Sequence, residues 1–341
     1  MDKDKKYIGR CLELAIQGQL FVAPNPMVGC VIVHNGVIVA EGFHEKYGEA
    51  HAEVNAFANL PESIEINKCT VYVNLEPCSF YGKTPPCASL LIDRKPGKVV
   101  IGTLDPHPKV AGRGVKMLLE AGIEVKVGIL EQECLELNKV FFKAHTVQKP
   151  YITLKWAETK DGYIARSEGD NSSAKISSSE NDEFVHQLRA THQAIVVGAK
   201  TANHDDPLLN LRHSKGSSPI KVILSKSNTL NRELKLFSEG RTIIYTEAQQ
   251  KLSIKNVETI TLNPFTLDAF LDDLIKRDIH SVLVEGGSIV LNAFLSEKLW
   301  DEAIILKSNK VWSKGIKAPW IGIPSIKERT SFNDRIKYFK P

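Results

Sequence analysis

Methionine and tryptophan are scarce, 3 and 4 among 341 residues, and aromatic side chains make up only 7% of the chain. Even so, 43% of residues are hydrophobic and 25% charged, a balance that excludes a disordered chain or a fibrous repeat. No run of roughly 18 apolar residues occurs, so no membrane-spanning helix is expected. The opening Met1-Asp2-Lys3-Asp4-Lys5-Lys6 mixes charges and leads into no apolar stretch with a small-residue cleavage site. The expectation is a cytoplasmic protein. Its net charge of +4 is small for the length, and lysine and arginine are scattered. Neither a nucleic acid nor a membrane is therefore expected as partner, whereas anionic small molecules such as phosphates are compatible.

Six cysteines in so long a chain do not read as a disulfide framework. Cys11, Cys30, Cys69 and Cys134 sit among apolar neighbours and read as small buried hydrophobes. Cys78 and Cys87 differ. Each follows proline in Glu76-Pro77-Cys78-Ser79-Phe80-Tyr81-Gly82-Lys83-Thr84-Pro85-Pro86-Cys87, a stretch too rich in turn residues to be regular throughout.

The length exceeds one hydrophobic core, and two α/β domains are expected, 1–147 and 148–341. The boundary falls where 145–150 loses any period and ends in Pro150. In the first part the spacing predicts a helix over 7–16 and a hairpin of 28–33 with 37–39 around Asn35-Gly36. A helix over 50–60 carries His51 and Glu53 in its first turn. A strand over 70–74 leads to Cys78, followed by a strand at 99–102, a helix at 114–121, a strand at 123–127 and a helix at 131–144. In the second part, strands at 151–156, 194–197, 221–224, 242–245 and 281–284 alternate with helices near 180–189, 267–277 and 289–295.

One imidazole and two thiolates, His51, Cys78 and Cys87, suit Zn²⁺ and leave a fourth tetrahedral position for water. Water acidified there can attack a ring carbon bearing an amino group, with Glu53, two residues from the histidine, carrying the protons. Histidine–alanine–glutamate followed by proline–cysteine is the signature of zinc nucleobase deaminases, though two residues usually separate the cysteines and here there are eight. A deaminase that edits nucleic acid is a competing reading; it needs a basic groove and stacking aromatics that the charge pattern does not support.

Pro24-Asn25-Pro26-Met27-Val28-Gly29, Gly48-Glu49-Ala50-His51-Ala52-Glu53, Leu75-Glu76-Pro77-Cys78-Ser79, Thr84-Pro85-Pro86-Cys87 and Val110-Ala111-Gly112-Arg113-Gly114 resemble one family. It is the bifunctional riboflavin-biosynthesis family, a diaminohydroxyphosphoribosylaminopyrimidine deaminase joined to a 5-amino-6-(5-phosphoribosylamino)uracil reductase, in which the long cysteine spacing is normal. The resemblance implies a cytidine-deaminase-like three-layer α/β/α sandwich and substrate contacts from Asn25, His44 and Lys83. From the residues alone, Asn25 reads equally as a turn residue between prolines and Lys83 as a solvated loop charge. Phe80 stands where many relatives carry histidine.

Lys155-Trp156-Ala157, Asp161-Gly162, Leu188-Arg189, Val197-Gly198, Thr201, Asp205-Asp206-Pro207, Leu211-Arg212 and Val284-Glu285-Gly286-Gly287-Ser288 resemble the reductase half. That implies a dihydrofolate-reductase-like α/β fold with NADPH contacted by Ala157, Thr201, Asp205, Gly287 and Ser288. It also implies that Arg189, Leu209, Arg212 and Glu285 face the substrate, a phosphoribosyl pyrimidine, with the arginines suited to its phosphate. By itself Glu285-Gly286-Gly287-Ser288 reads either as a phosphate-receiving turn or as a plain strand-to-helix turn. Lys155 reads as a proton-transfer residue or a structural salt-bridge partner. Lys175 and Ser225-Lys226 depart from the family pattern in the cofactor region. They motivate a third reading, a C-terminal binding or oligomerisation module without NADPH use. A homo-oligomer is expected.

Overall fold

The computed structural model describes the chain except residues 1, 81–84, 108–110, 168, 171, 213, 250 and 251; Lys83 thus lies outside the described residues. The chain divides into two compact units, Met1–Gln148 and Lys149–Pro341. No helix among the described residues is long and apolar enough to cross a membrane.

The first unit runs α1 (Lys3–Ala15), β1 (Gly29–His34), β2 (Val37–Phe43), α2 (Ala52–Ala58), β3 (Cys69–Leu75), α3 (Cys87–Arg94) and β4 (Lys98–Thr103). It continues with α4 (Arg113–Glu120), β5 (Glu124–Val127), α5 (Glu131–Leu137) and α6 (Lys139–Thr146). The strands form one sheet in the order β2-β1-β3-β4-β5. Alternation along β1 sends Cys30 and Ile32 to one face, where Ala52, Ala56 and Phe57 of α2, Leu91 of α3 and Leu118 of α4 cover them. Val31 and Val33 meet Tyr7, Ile8, Cys11 and Leu14 of α1 and Cys134 of α5 on the other face. The result is three layers, and all four cysteines expected to be hydrophobes are buried in it.

Two helices differ from the sequence expectation. The segment expected to be one helix over 131–144 breaks at Asn138, whose amide leaves the helical path to pair with the Met27 backbone, Oδ1 accepting from its N–H at 2.8 Å and Nδ2 donating to its carbonyl at 2.9 Å. The helix expected from residue 50 starts at Ala52, with His51 as an extended N-cap, φ −76° and ψ 165°. This frees the imidazole from the helical row while Glu53 stays in the first turn.

The second unit comprises β6 (Tyr151–Glu158), β7 (Tyr163–Ala165), α7 (Asp182–Ala190), β8 (Ala194–Gly198), α8 (Ala199–Asp205), β9 (Ile220–Leu224), β10 (Thr242–Thr246) and β11 (Val257–Thr261). Then come α9 (Leu267–Lys276), β12 (Ser281–Val284), α10 (Ser288–Ser296), β13 (Glu302–Ser308), β14 (Ile316–Lys317), β15 (Lys327–Ser331) and β16 (Asp334–Phe339). Nine strands form a sheet in the order β11-β10-β9-β8-β12-β6-β13-β16-β15, while β14 pairs with β7. Neighbours from β11 to β13 are parallel; β16 and β15 add antiparallel pairs at one edge. The sequence reading did not anticipate β15 because Lys327-Glu328-Arg329-Thr330-Ser331 has no apolar face, as suits an exposed edge.

Lys221 on β9 is fully buried, its Nζ donating to the Leu236 and Glu239 carbonyls at 2.7 Å each. Lys221→Met should strip both carbonyls of their donor and lower the stability of this unit by about 2 kcal/mol. All four tryptophans lie in the second unit, so denaturant unfolding followed by tryptophan fluorescence reads it selectively. An unchanged midpoint would mean that those carbonyls find another donor.

Candidate active sites

In the first unit, three chain segments converge at one edge of the sheet. His51 caps α2, Cys78 lies three residues beyond the end of β3, and Cys87 opens α3. The donor atoms of these three residues lie within 4.8 Å of one another. His51 Nδ1 is 3.3 Å from Cys87 Sγ and 3.5 Å from Cys78 Sγ. Tetrahedral zinc at ordinary bond lengths holds a nitrogen and a sulfur roughly 3.6 Å apart, so the donor set fits that ion. The Cys87 backbone N–H donates to Cys78 Sγ at 3.2 Å. Hydrogen bonds from the Cys87 thiol and from His51 outweigh burial and bring Cys78 down to about 4, so the pocket is built for a thiolate.

Glu53 is buried beside them, 3% exposed. Burial pushes its carboxyl up, and the negative charge of Cys78 adds to the effect. His44, also buried, places its ring edge-on to His51 with centroids 5.4 Å apart. Its Nδ1 lies 2.9 Å from the Ala50 carbonyl and its Nε2 3.1 Å from Asn25 Nδ2. Burial lowers the pKa of this imidazole, against the hydrogen bond to the Ala50 carbonyl. Phe80 stacks on His107 at 5.8 Å between centroids, and His107 meets His145 of α6 at 5.0 Å.

Glu76 was missed as a site residue. Its buried carboxylate accepts from the backbone N–H groups of Asp105 at 3.2 Å, Gly112 at 2.9 Å and Val115 at 3.2 Å. It thereby ties the segment that carries Cys78 to the start of α4. Nearby, burial pushes the Asp105 carboxyl up to about 7 against a hydrogen bond from the His107 N–H, with the charges of Glu76 and Cys78 adding to the rise. In sequence these residues show only as acids at the ends of two apolar strands.

In the second unit, Gly286 and Gly287 follow β12 and precede α10. A Cβ on Gly286 would sit 2.4 Å from Val197 Cα, and one on Gly287, at φ +62°, would sit 2.6 Å from Thr201 Oγ1. Bare backbone beside a hydroxyl at a helix start forms a cradle for a phosphate-bearing cofactor. Ser225, at the same C-terminal edge of the parallel strands, buries a hydroxyl with no partner among the described residues. Both observations fit a dinucleotide such as NADPH. Asp205 lies one turn beyond Thr201 on α8, its exposed carboxylate 2.8 Å from His204 Nδ1. Ser288 Oγ reaches the Lys317 carbonyl at 3.3 Å, and Ala157 packs beside Val185 and Leu306. Lys175, a departure in sequence, pairs with Asp182 at 2.8 Å.

Arg189 of α7 grips Glu285 with two parallel bonds, Nε to Oε1 at 3.1 Å and Nη2 to Oε2 at 2.8 Å. The fork that the sequence reading offered to a phosphate is thus engaged by Glu285. Lys155 on β6 stands one residue beyond Leu154, which pairs with Val284, and so comes level with Glu285. Despite burial, the charges of Lys155 and Arg189 hold the Glu285 carboxyl down to about 2. Arg189 Nη1 also reaches the Asn210 carbonyl at 3.4 Å, and the Arg212 N–H donates to His186 Nδ1 at 3.2 Å. Leu209 is buried, 3% exposed, and packs in the core with its backbone at φ +49°.

Comparisons with known proteins divide along the same chain. Residues 1–103 match the cytidine and deoxycytidylate deaminase zinc-binding region, and residues 150–311 match the RibD C-terminal domain. The riboflavin biosynthesis protein RibD of Aquifex aeolicus is 40% identical over 332 residues, covering 95% of this chain and 92% of that one. RibD of Escherichia coli is 35% identical over 328 residues, covering 91% and 88%. The crystal structure of a diaminohydroxyphosphoribosylaminopyrimidine deaminase/5-amino-6-(5-phosphoribosylamino)uracil reductase from Thermotoga maritima superposes with a TM-score of 0.90 at 35% identity, covering 99% of both chains. A cytidine-deaminase-like unit and a reductase unit, each expected from sequence, are therefore present in one mixed α/β chain. The chain belongs to the RibD family, the bifunctional deaminase and reductase of riboflavin biosynthesis.

Proposed function

We propose that residues 1–147 deaminate 2,5-diamino-6-(5-phosphoribosylamino)pyrimidin-4(3H)-one and that residues 148–341 reduce the ribosyl group of the product, 5-amino-6-(5-phosphoribosylamino)uracil, to ribityl. The cluster of His51, Cys78 and Cys87 around a buried Glu53 carries the first assignment. His51, Cys78 and Cys87 would hold zinc, which supplies Lewis acidity that brings the pKa of water near neutrality. Glu53 takes a proton from the attacking water at a carboxylate oxygen and passes it to the ring nitrogen; it then takes the second proton from the newly formed hydroxyl and gives it to the amino group, which leaves as ammonia while the ring carbonyl forms. Asn25, beside the metal ligands, is read as a substrate contact, as is Lys83, and His44, which touches Asn25, lines the same site.

Thr201, Gly287 and the helix start at Ser288 would hold the phosphates of NADPH, which supplies the hydride. Ala157 and Asp205 are read as further cofactor contacts. Arg189 and Lys155 keep Glu285 ionised at the substrate face, and Arg212 remains exposed for the substrate phosphate. Gly287→Ala should raise the KM for NADPH about tenfold or more and leave deamination unchanged. An unaltered KM would place the cofactor elsewhere.

The assignment is tested by giving the purified protein the diaminopyrimidine phosphoribosyl substrate with and without NADPH, and following ammonia release and NADPH oxidation separately. Both should occur in that order. A strong zinc chelator should stop ammonia release while oxidation of NADPH on supplied 5-amino-6-(5-phosphoribosylamino)uracil continues. Ammonia release without any NADPH oxidation would favour a non-catalytic second unit.

A further inference from the structure

We infer that His44 sets the direction of the Asn25 amide, so that Asn25 presents an acceptor, its Oδ1, and selects a pyrimidine offering an amino or ring N–H donor at that point. The inference rests on reading Asn25 as a substrate contact. It starts from the Ala50 carbonyl, which can only accept a hydrogen bond. Lying 2.9 Å from His44 Nδ1, it requires the ring proton on that nitrogen. The Asn25 NH₂ lies 3.1 Å from Nε2, so this other ring nitrogen serves as the acceptor and the amide nitrogen as the donor. An amide turns as a unit, so Oδ1 faces away from His44. Among the described residues nothing donates to Oδ1.

Neither residue is free to rearrange. The His44 N–H donates to the Val28 carbonyl at 2.9 Å, and Gly18 packs so closely that a Cβ there would meet the His44 carbonyl at 2.3 Å. The Asn25 N–H donates to the Val22 carbonyl at 2.8 Å. Ala50 directly precedes His51, so the carbonyl that chooses the tautomer belongs to the segment bearing a zinc-site residue. The chain of hydrogen bonds therefore runs from that segment through His44 to the amide. Turned the other way, the same asparagine would present NH₂ and select a carbonyl instead. His44 is accordingly a positioning residue whose effect on substrate passes through Asn25.

The test combines four variants with a direct observation of the ring. His44→Phe keeps the ring volume without nitrogens and should raise the KM for deamination about tenfold, with zinc content and kcat within about threefold of wild type. His44→Gln can donate to Ala50 through its NH₂ and accept from Asn25 through its oxygen, and should recover most of that loss. His44→Phe combined with Asn25→Ala should be no worse than Asn25→Ala alone. Effects that multiply in the double variant, or no recovery in His44→Gln, would overturn the positioning role. Asn25→Ala with an unchanged KM would instead remove the reading of Asn25 as a substrate contact, and the inference with it. Nitrogen-15 NMR of the wild-type zinc-loaded protein should show His44 protonated at Nδ1 and bare at Nε2; a proton on Nε2 would overturn the inference whatever the variants do.

Discussion

Glu53→Gln should bind zinc at wild-type stoichiometry and lose deamination by about a thousandfold. Glutamine matches glutamate in size, so the first turn of α2 and the packing around this buried side chain are kept. It cannot take up a proton, and that is the function assigned to Glu53. Zinc content and ammonia release are the two measurements, and they separate the alternatives. Loss of zinc would make Glu53 part of the metal's support. Retained deamination would shift the proton transfer to another group, and Asp105, pushed up to about 7 close to Cys78, is the first to examine. NADPH oxidation on supplied deaminated substrate should be unaffected in this variant.

The second large effect is expected at the Arg189–Glu285 pair. Arg189→Ala leaves a buried carboxylate without the guanidinium that pairs with it, though Lys155 and His186 still act on it, and removing one partner of such a pair costs about 3–5 kcal/mol. Tryptophan fluorescence during denaturation should show the second unit weakened. NADPH oxidation should fall about a hundredfold or more, because the carboxylate loses the fork that orients it. Deamination should persist. The pH dependence follows from the same pair. The folded-state pKa of Glu285 lies at about 2, below that of the unfolded chain, so its stabilising contribution is complete above roughly pH 4.5 and is lost as pH falls toward 2. The acid sensitivity of the wild-type second unit should be shallower in Arg189→Ala. Equal acid profiles would show that the ion pair does not carry this stability.

The zinc-site residues were legible in sequence for a local reason. His51 and Glu53 share one helix start, and Cys78 and Cys87 each follow a proline in a turn-rich loop, so residue type and spacing within a few positions already restrict the chemistry. The buried cysteines Cys11, Cys30, Cys69 and Cys134 were legible from their apolar neighbours alone. The reductase contacts were much less so, because Thr201 and Gly287 or Arg189 and Glu285 are far apart in the chain and each is unremarkable in its own segment.

By itself the sequence determined the two-part α/β organisation and the metal-binding residue types, and it offered a candidate proton carrier, because hydrophobic period, turn chemistry and ligand chemistry are all written over short stretches. Only the tertiary structure decided that Asn138 breaks a helix to pair with Met27, that Glu76 braces the Cys78 segment, that Arg189 serves Glu285, and that His44 turns Asn25. Each of these is a directional hydrogen bond between a side chain and a group brought near by folding. Such bonds follow no period along the chain, and their partners are chosen only when the backbone has closed around them.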